Sequence, residues 1–340
     1  MANRAAPHGR RCKLPAPATF APDRPPSTIV RDDPVFEDEQ KMQRLSVGVL
    51  IMGVAIVSTA AVLIRLAEAP KLSVAFWRIT IAALLLLPVW LRPQRRAAIQ
   101  ALSGQQKWSL IGAGFFLGVH FATWILSLAY TSVAASVLLV TTNPVWVGLM
   151  SPWILGERLP RRTWFGIIVA LSGTAIVGMD FQSGDFSNPA LGNMLALCGA
   201  IAMSCYLLFG RRVRPSLDIW TYTSATLLVA WCVLAGTILA TQTPIHGFPR
   251  QDWLVFTALA LGPQLLGHGS LSWVLRYIRA EMVAVALLAE PIGSAVLAWV
   301  ILSEIPGQGV WFGGPILILG IGVVVLGKRP KGLEKSGRAS

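Results

Sequence analysis

Charge is what this sequence has least of. Of its 340 residues, 13% are Asp, Glu, Lys or Arg and 54% are hydrophobic, with a mean hydropathy of +0.61. A soluble domain carries about 25% charge, so a water-facing globule is excluded. Cysteine is scarce too. Cys12, Cys198, Cys205 and Cys232 show no paired metal spacing and no disulfide framework, and three of them sit in apolar runs where Cys acts as a small hydrophobe. No zinc pattern, nucleophile elbow or phosphate-cradling loop is present. The glycine-rich "GAGFFLG" (112–118) lies inside an apolar helical run and follows no strand, so it fails the context that a dinucleotide site needs. The expectation is a non-enzyme with no metal, no cofactor and no ATP site.

What remains is apolar sequence in long runs. Residues 1–44 are an exception, rich in proline and charge without periodicity, and are expected to be a disordered tail. No apolar core follows the first basic residues, so no cleavable signal is expected. The run near Leu45 would act as an uncleaved membrane signal. A spanning helix needs about 20 mostly apolar residues, and ten segments qualify: 46–67, 72–91, 108–129, 132–154, 162–179, 190–209, 218–240, 252–275, 281–302 and 308–327. Backbone groups in lipid must be satisfied within the segment, so all ten read as helices. Of the 29 Lys and Arg, 25 fall in the segments on one side. Arg65, Lys71 and Arg250 fall on the other, and Arg78 lies within a span. That positive-inside asymmetry puts both termini, including the basic tail 329–340, in the cytoplasm of a multi-pass inner-membrane protein. The net charge of +13 then reflects orientation and attraction to anionic lipid rather than nucleic-acid binding.

The runs also repeat. "NPVWVGLMSPWILGE" (143–157) and "EPIGSAVLAWVILSE" (290–304) share a proline second and a glutamate 13 residues later, and Trp-Phe-Gly follows at 164–166 and 311–313. One offset of 147 also brings Tyr130 onto Tyr277 and Gly173 onto Gly320. The chain therefore reads as two copies, 45–180 and 189–328. Five spans per copy is an odd number, so the second copy must be inverted. The loop "RLPRR" after Glu157 is replaced after Glu304 by "IPGQG", which has no basic residue. The fold expected is all-α and integral to the membrane, ten helices in two inverted five-helix repeats. Secondary transporters are built this way, with substrate at the repeat interface near the midplane.

These residues, with "AYTSVAASVLLVTTNPVWVGLMSPWILGERLPRRTWFGIIVALSGTAIVG" (129–178) and the second "WFGGPILILGIGVVVLG", resemble the drug/metabolite transporter superfamily with two EamA-type domains over about 46–327. The second copy departs from the pattern at Ser303-Glu304-Ile305, which stands where the first has Gly156-Glu157-Arg158. The resemblance implies a ten-helix permease, often an exporter of amino acids or other small metabolites, and leaves the solute open. Exchange of phosphorylated or nucleotide-sugar solutes is a rival reading. An intramembrane enzyme or a sensor without flux are others.

Ionisable groups inside spans are costly and are candidate functional residues. Glu290 and its repeat mate Asn143, with Thr142 beside it, precede Pro291 and Pro144. A proline within a helix removes a backbone hydrogen bond and opens a kink that could gate. Glu290 is expected to meet a substrate amine or a proton. Arg78 could hold a substrate carboxylate, pair with Glu290 or snorkel outward, and its mate is Ala225. His120 and His268 fall near mid-bilayer. His120, Trp124 and Ser127 share one helix face and Gln264 and His268 another, which together could line a polar cavity with an aromatic wall. Coupling of the solute to protons through these histidines is a further possibility. Trp77 reads as interfacial packing, and Glu157 and Glu304 as turn residues closing a helix pair. The oligomeric state is not legible.

Overall fold

The computed structural model describes residues 34–131, 136, 139–179, 188–302 and 308–326; among them there is no strand. α1 runs Pro34–Val57, α2 Thr59–Arg65, α3 Lys71–Trp90, α4 Pro93–Gln100 and α5 Gly104–Ser127. α6 is Asn143–Ile154, α7 Arg161–Met179, α8 Pro189–Val213 and α9 Ile219–Thr241. α10 (Arg250–Leu259), a π-helical segment (Ala260–His268) and α11 (Gly269–Val274) follow one another without a break. α12 (Ala280–Leu287), α13 (Glu290–Leu302) and α14 (Gln308–Leu326) complete the order.

Six of these helical stretches are long and apolar enough to cross a membrane: Arg44–Arg65, Lys71–Trp90, Gly104–Ser127, Pro189–Val213, Ile219–Thr241 and Arg250–Val274. They correspond to the first, second, third, sixth, seventh and eighth expected spans. The expected fourth span is described mainly as the short α6, most of 132–138 lying outside the described residues. The ninth is divided by a turn at Leu288-Ala289 into α12 and α13, and the tenth keeps a shorter apolar stretch, Trp311–Val324. α1 begins at Pro34, inside the segment expected to be an unstructured tail. A proline at the first helical position suits a helix N-terminus, where its fixed φ helps.

The helix ends follow from local chemistry. Ser103 and Gln106 form a reciprocal capping box that starts α5. Asp218 caps α9 by accepting from the N–H groups of Trp220 and Thr221 and pairs with Arg95. Burial pushes the Asp218 carboxyl up, but the hydrogen bonds from Thr221 and Arg95 outweigh it and hold it below the usual carboxylate range.

Lipid tails are as apolar as Leu, so close packing rather than water exclusion holds such helices together. The extensive contacts are α5 with α8 and α9, α3 with α9, and α7 with α14. In the α7–α14 pair small residues let backbones touch. A Cβ on Gly166 would lie 3.0 Å from the Gly320 carbonyl oxygen, and one on Gly173 2.7 Å from that of Gly313. The early glycine of α7 meets the late one of α14 and the reverse, so the two helices run antiparallel. Gly53 is closed in by Ser270 and Leu271 of α11, and Gly199 by Thr123 and Trp124 of α5. The glycines at 114 and 118 bring α5 against Thr226, Val229, Ala230 and Val233 of α9, while Gly112 faces Phe209 of α8.

Candidate functional site

Two of the helices that approach the centre of the fold start there. Thr141 and Thr142 form a turn and α6 begins at Asn143, with Pro144 in its first turn. Leu288 and Ala289 form a turn and α13 begins at Glu290, followed by Pro291. The prolines expected to kink continuous helices instead sit where fresh helices start, the position at which a missing N–H costs nothing. The same stretch of π-helix that carries Pro263 presents Gln264 and His268. A proline has no N–H to give to the ladder, and such local widenings recur at functional sites.

These interruptions surround a cavity lined by Arg78 from α3, His120 and Trp124 from α5, Asn143, His268 and Glu290, with Thr141 and Met203 completing the polar and apolar walls. Its volume is about 30 Å³, measured as space for the centres of water-sized spheres, which is room for two or three waters.

Arg78 is fully buried. Its Nε donates to Gln264 Oε1 at 3.1 Å and its guanidinium lies 4.1 Å from the centre of the Phe121 ring. Both terminal nitrogens, Nη1 and Nη2, find no partner among the described residues. The same holds for Trp124 Nε1, Asn143 Oδ1 and His268 Nδ1, and all four residues line this cavity. A buried polar group without a partner costs about 1–3 kcal/mol, so a cluster of them around one space calls for partners that water or a bound molecule would supply. His120 Nδ1 stands 2.9 Å from the Gly199 carbonyl oxygen and must carry its hydrogen to bond there, which leaves Nε2 as an acceptor. The imidazole stacks on Trp124, with centroids 5.7 Å apart and planes 13° off parallel, and its centroid is 6.5 Å from that of His268. Glu290 is the acidic side chain of the lining, close enough to Arg78 for their charges to interact. A site with a cationic fork, a carboxylate, an amide oxygen and an aromatic wall can hold both ends of a small dipolar molecule.

Arg78, His120, Trp124, Asn143, His268 and Glu290 thus come together around one space. Gln264 stands behind Arg78. Thr142 is turned away from the cavity: its hydroxyl donates to Leu139 O at 2.6 Å and accepts from Trp146 Nε1 at 3.2 Å, and Thr141 takes the lining position. Ser127 bonds Ser136 at 2.6 Å. Trp77 packs against Trp253 and donates to Ile245 O, outside the lining. Glu157 pairs with Arg279, and Glu304 lies outside the described residues. Among the described residues no group of His, Cys, Asp and Glu is arranged to hold a metal ion.

Sequence reasoning missed Thr141, Met203 and the π-helical segment. Met203 follows Gly199 by one helical turn, on the face that His120 touches. Pro263 between Gly262 and Gly267 was the legible sign of an irregular helix.

Comparison with known proteins gives these residues a context. The profile of the EamA-like transporter family matches twice, over residues 44–179 and 190–326. The pseudopaline exporter CntI of Pseudomonas aeruginosa (strain UCBPP-PA14) is 24% identical over 266 residues, 78% of this chain and 89% of its own length. The transporter YdfC of Bacillus subtilis is 23% identical over 208 residues, 61% of this chain and 67% of its own. A probable terminal-alkyne amino-acid exporter of Streptantibioticus cattleyicolor is 24% identical over 198 residues, covering 56% and 65%. One solved crystal structure superposes with a TM-score of 0.67 at 19% identity, over 83% of this chain and 97% of the other, a likeness of fold alone. With the profile matching both halves and together nearly all of the chain after residue 43, the protein belongs to the EamA-like transporter family.

Proposed function

We propose that this chain is a secondary transporter, an exporter of small zwitterionic metabolites of the amino-acid kind, working by alternating access at the central cavity. The observation that carries the reading is the cavity's paired chemistry. Arg78 offers two free guanidinium N–H groups to a carboxylate, while Glu290 and the Asn143 amide oxygen face them with acceptors for an ammonium. The start of α6 and α13 at the cavity fits the use of half-helices in transporters, and the positive end of the α13 dipole favours Glu290 as a carboxylate. A space of about 30 Å³ is too small for such a cargo, so the cavity must widen to take it. The export direction and the amino-acid-like class draw on relatives named as exporters of pseudopaline and of a terminal-alkyne amino acid.

The architecture we infer is ten spans in two inverted repeats, with both termini in the cytoplasm of the inner membrane. Its support is reciprocity. Under the offset of 147, Gly166 and Gly173 correspond to Gly313 and Gly320, and each meets the mate of the other. A two-fold axis generates that pattern, as in an isologous interface. Gly53 against Ser270 and Leu271 is matched, to within one residue, by Gly199 against Thr123 and Trp124. The basic asymmetry of the loops supports the orientation. The rival of a phosphorylated solute is disfavoured by a lining that offers one arginine and no lysine. Protons could share the site through His120 and His268, both within the lining.

The test is counterflow in proteoliposomes loaded with a mixed pool of zwitterionic, anionic and cationic metabolites. Exchange of a zwitterion is expected, lost at least 100-fold in Arg78→Gln and partly kept in Arg78→Lys. Equal exchange by the parent and Arg78→Gln would remove Arg78 from the site, and no exchange of any component would overturn the transport reading.

A further inference from the structure

The basic end of the fold is where Lys and Arg gather, and three arginines leave the C-terminal end of α8 in different directions. Arg211 donates from Nη1 to the carbonyls of Leu275 and Arg276, at 2.7 and 3.0 Å, just beyond α11. Arg214 donates from Nε to Ser272 O at 2.7 Å and from Nη1 to Leu217 O. Arg212 reaches the other copy and donates to Ile154 O, the last residue of α6. The C-terminal carbonyls of a helix have no intrahelical partners, so an arginine is a natural stopper for them.

A second fastening lies beside the first. Arg279, at the N-cap of α12, donates from Nε to Glu157 Oε2 at 2.8 Å, with Nη2 2.7 Å from the same oxygen. Its Nε also stands 3.0 Å from Glu281 Oε1, whose side chain is 1% exposed. Glu157 belongs to the turn after α6. Arg212 and Arg279 both come from the second matched domain, and Ile154 and Glu157 from the first. Both tether the same end of the same helix.

α6 itself is short, with Pro152 near its far end. Its 12 residues span about 18 Å at 1.5 Å per residue. One end is Asn143, in the cavity lining, where its carbonyl accepts from Ser204 Oγ at 3.0 Å. The other end is the double fastening. A turn at Thr141-Thr142 separates it from the chain before it.

We propose that α6 is the gate on the basic side of the molecule and that Arg279 with Glu157, backed by Arg212, is its latch. With the latch made, the cavity is sealed from that side. With it broken, α6 swings and the cavity opens there. A tether made of one ion pair and one carbonyl bond suits a gate that must open repeatedly. Partly exposed pairs contribute little each, so the closed state is held without being frozen. The proposal rests on the transport reading only for what passes through the open gate.

The test uses a cysteine on the buried face of α6. Ser151 is fully buried near the latch, and Ser151→Cys is nearly isosteric. In the full-length chain in membranes, a water-soluble maleimide added to the basic side reports how often that face is uncovered, with the parent chain giving the background from native cysteines. Labelling of Ser151→Cys is expected to rise about threefold when Arg279→Gln is added, to a similar degree with Glu157→Gln, and less with Arg279→Lys, which keeps the charge and loses the fork. Melting temperatures alongside separate opening from unfolding. Should Arg279→Gln fail to fold, Glu157→Gln, which removes only the charge, carries the same test. Labelling at the Ser151→Cys rate in both neutral variants, with melting unchanged, overturns the latch. No cargo is needed, so that outcome would leave the transport reading standing, and a failure of counterflow would leave the labelling result intact.

Discussion

Asn143 and Glu290 hold the same place in the two copies of the chain. Each begins a helix at the cavity, each is followed by a proline, and the turns before them match. Their chemistry differs: one is a neutral amide and the other a carboxylate. The same holds for Arg78, whose mate Ala225 has nothing to offer a ligand. The two copies share a scaffold and divide the chemistry. A dipolar cargo has unlike ends, and a strictly symmetric site would hold it badly. Each matched domain starts a helix at the cavity, and the lining takes Arg78 from the first domain and Glu290 from the second.

The largest expected effect comes from exchanging the mates. Losing a hydrogen-bonded charged contact removes about 1.5–3 kcal/mol, a factor of roughly 10–150 in binding. Glu290→Gln is therefore expected to lower zwitterion counterflow by at least tenfold, with protein yield near that of the parent. The sharper variant is the double swap Asn143→Glu with Glu290→Asn, which keeps composition and moves the carboxylate from one matched domain to the other. Because Arg78 has no counterpart to move with it, the swap is expected to stay as impaired as Glu290→Gln. Parental counterflow from the swap would show the two positions to be interchangeable and would end the comparison.

Next in size is a test of the scaffold the copies share. Gly173 and its mate Gly320 both lie against backbone of the partner helix, whereas a Cβ on Gly236 would meet nothing within 4 Å. Overpacking a tight contact costs typically 1–3 kcal/mol. Gly173→Ala and Gly320→Ala are expected to destabilise by that much and by similar amounts, measured as denaturant midpoints in detergent, while Gly236→Ala is neutral or slightly stabilising. Unequal losses at the two mates would argue against the reciprocal contact.

Much of this was readable before any coordinates. Long apolar runs marked the six helices that reach across, because hydropathy integrates over about 20 residues and tolerates local error. Intramembrane polar residues marked most of the cavity, since Arg78, His120, His268 and Glu290 have few places to go in lipid. The sequence points to Thr142 where Thr141 lines the wall, because a single residue turns a helix by about 100° and a break sits at that point. Met203 carried no signal, an apolar residue among apolar residues. The π-helical segment was hidden because periodicity assumes a regular ladder, and Pro263 relaxes it. The Arg279–Glu157 pair was invisible for a different reason: loop charges report orientation when counted, and only coordinates say which of them meet.

The smallest expected effect separates two mates at the helix starts. Asp218 precedes α9 and Lys71 begins α3, 147 residues apart. Asp218 suits its place: its carboxylate caps two N–H groups, lies at the positive end of the helix dipole and pairs with Arg95. Lys71 is the wrong charge for a helix start, and it turns back to donate to Ile64 O and Ala67 O over long distances of 3.3 and 3.4 Å. Removing Asp218 should therefore matter more. Asp218→Ala is expected to destabilise by about 1 kcal/mol at pH 7, and Lys71→Ala by less than half of that. The Asp218 effect also carries a pH signature. Because folding holds its carboxyl below the usual range, its contribution is complete above the unfolded value near pH 4 and is lost as the pH falls through the folded one. The gap in melting temperature between parent and Asp218→Ala should therefore narrow as the pH is lowered from 5 towards 3. A gap that stays constant over that interval would mean that the cap works through the shape of the side chain alone, and the contrast with Lys71 would lose its electrostatic basis.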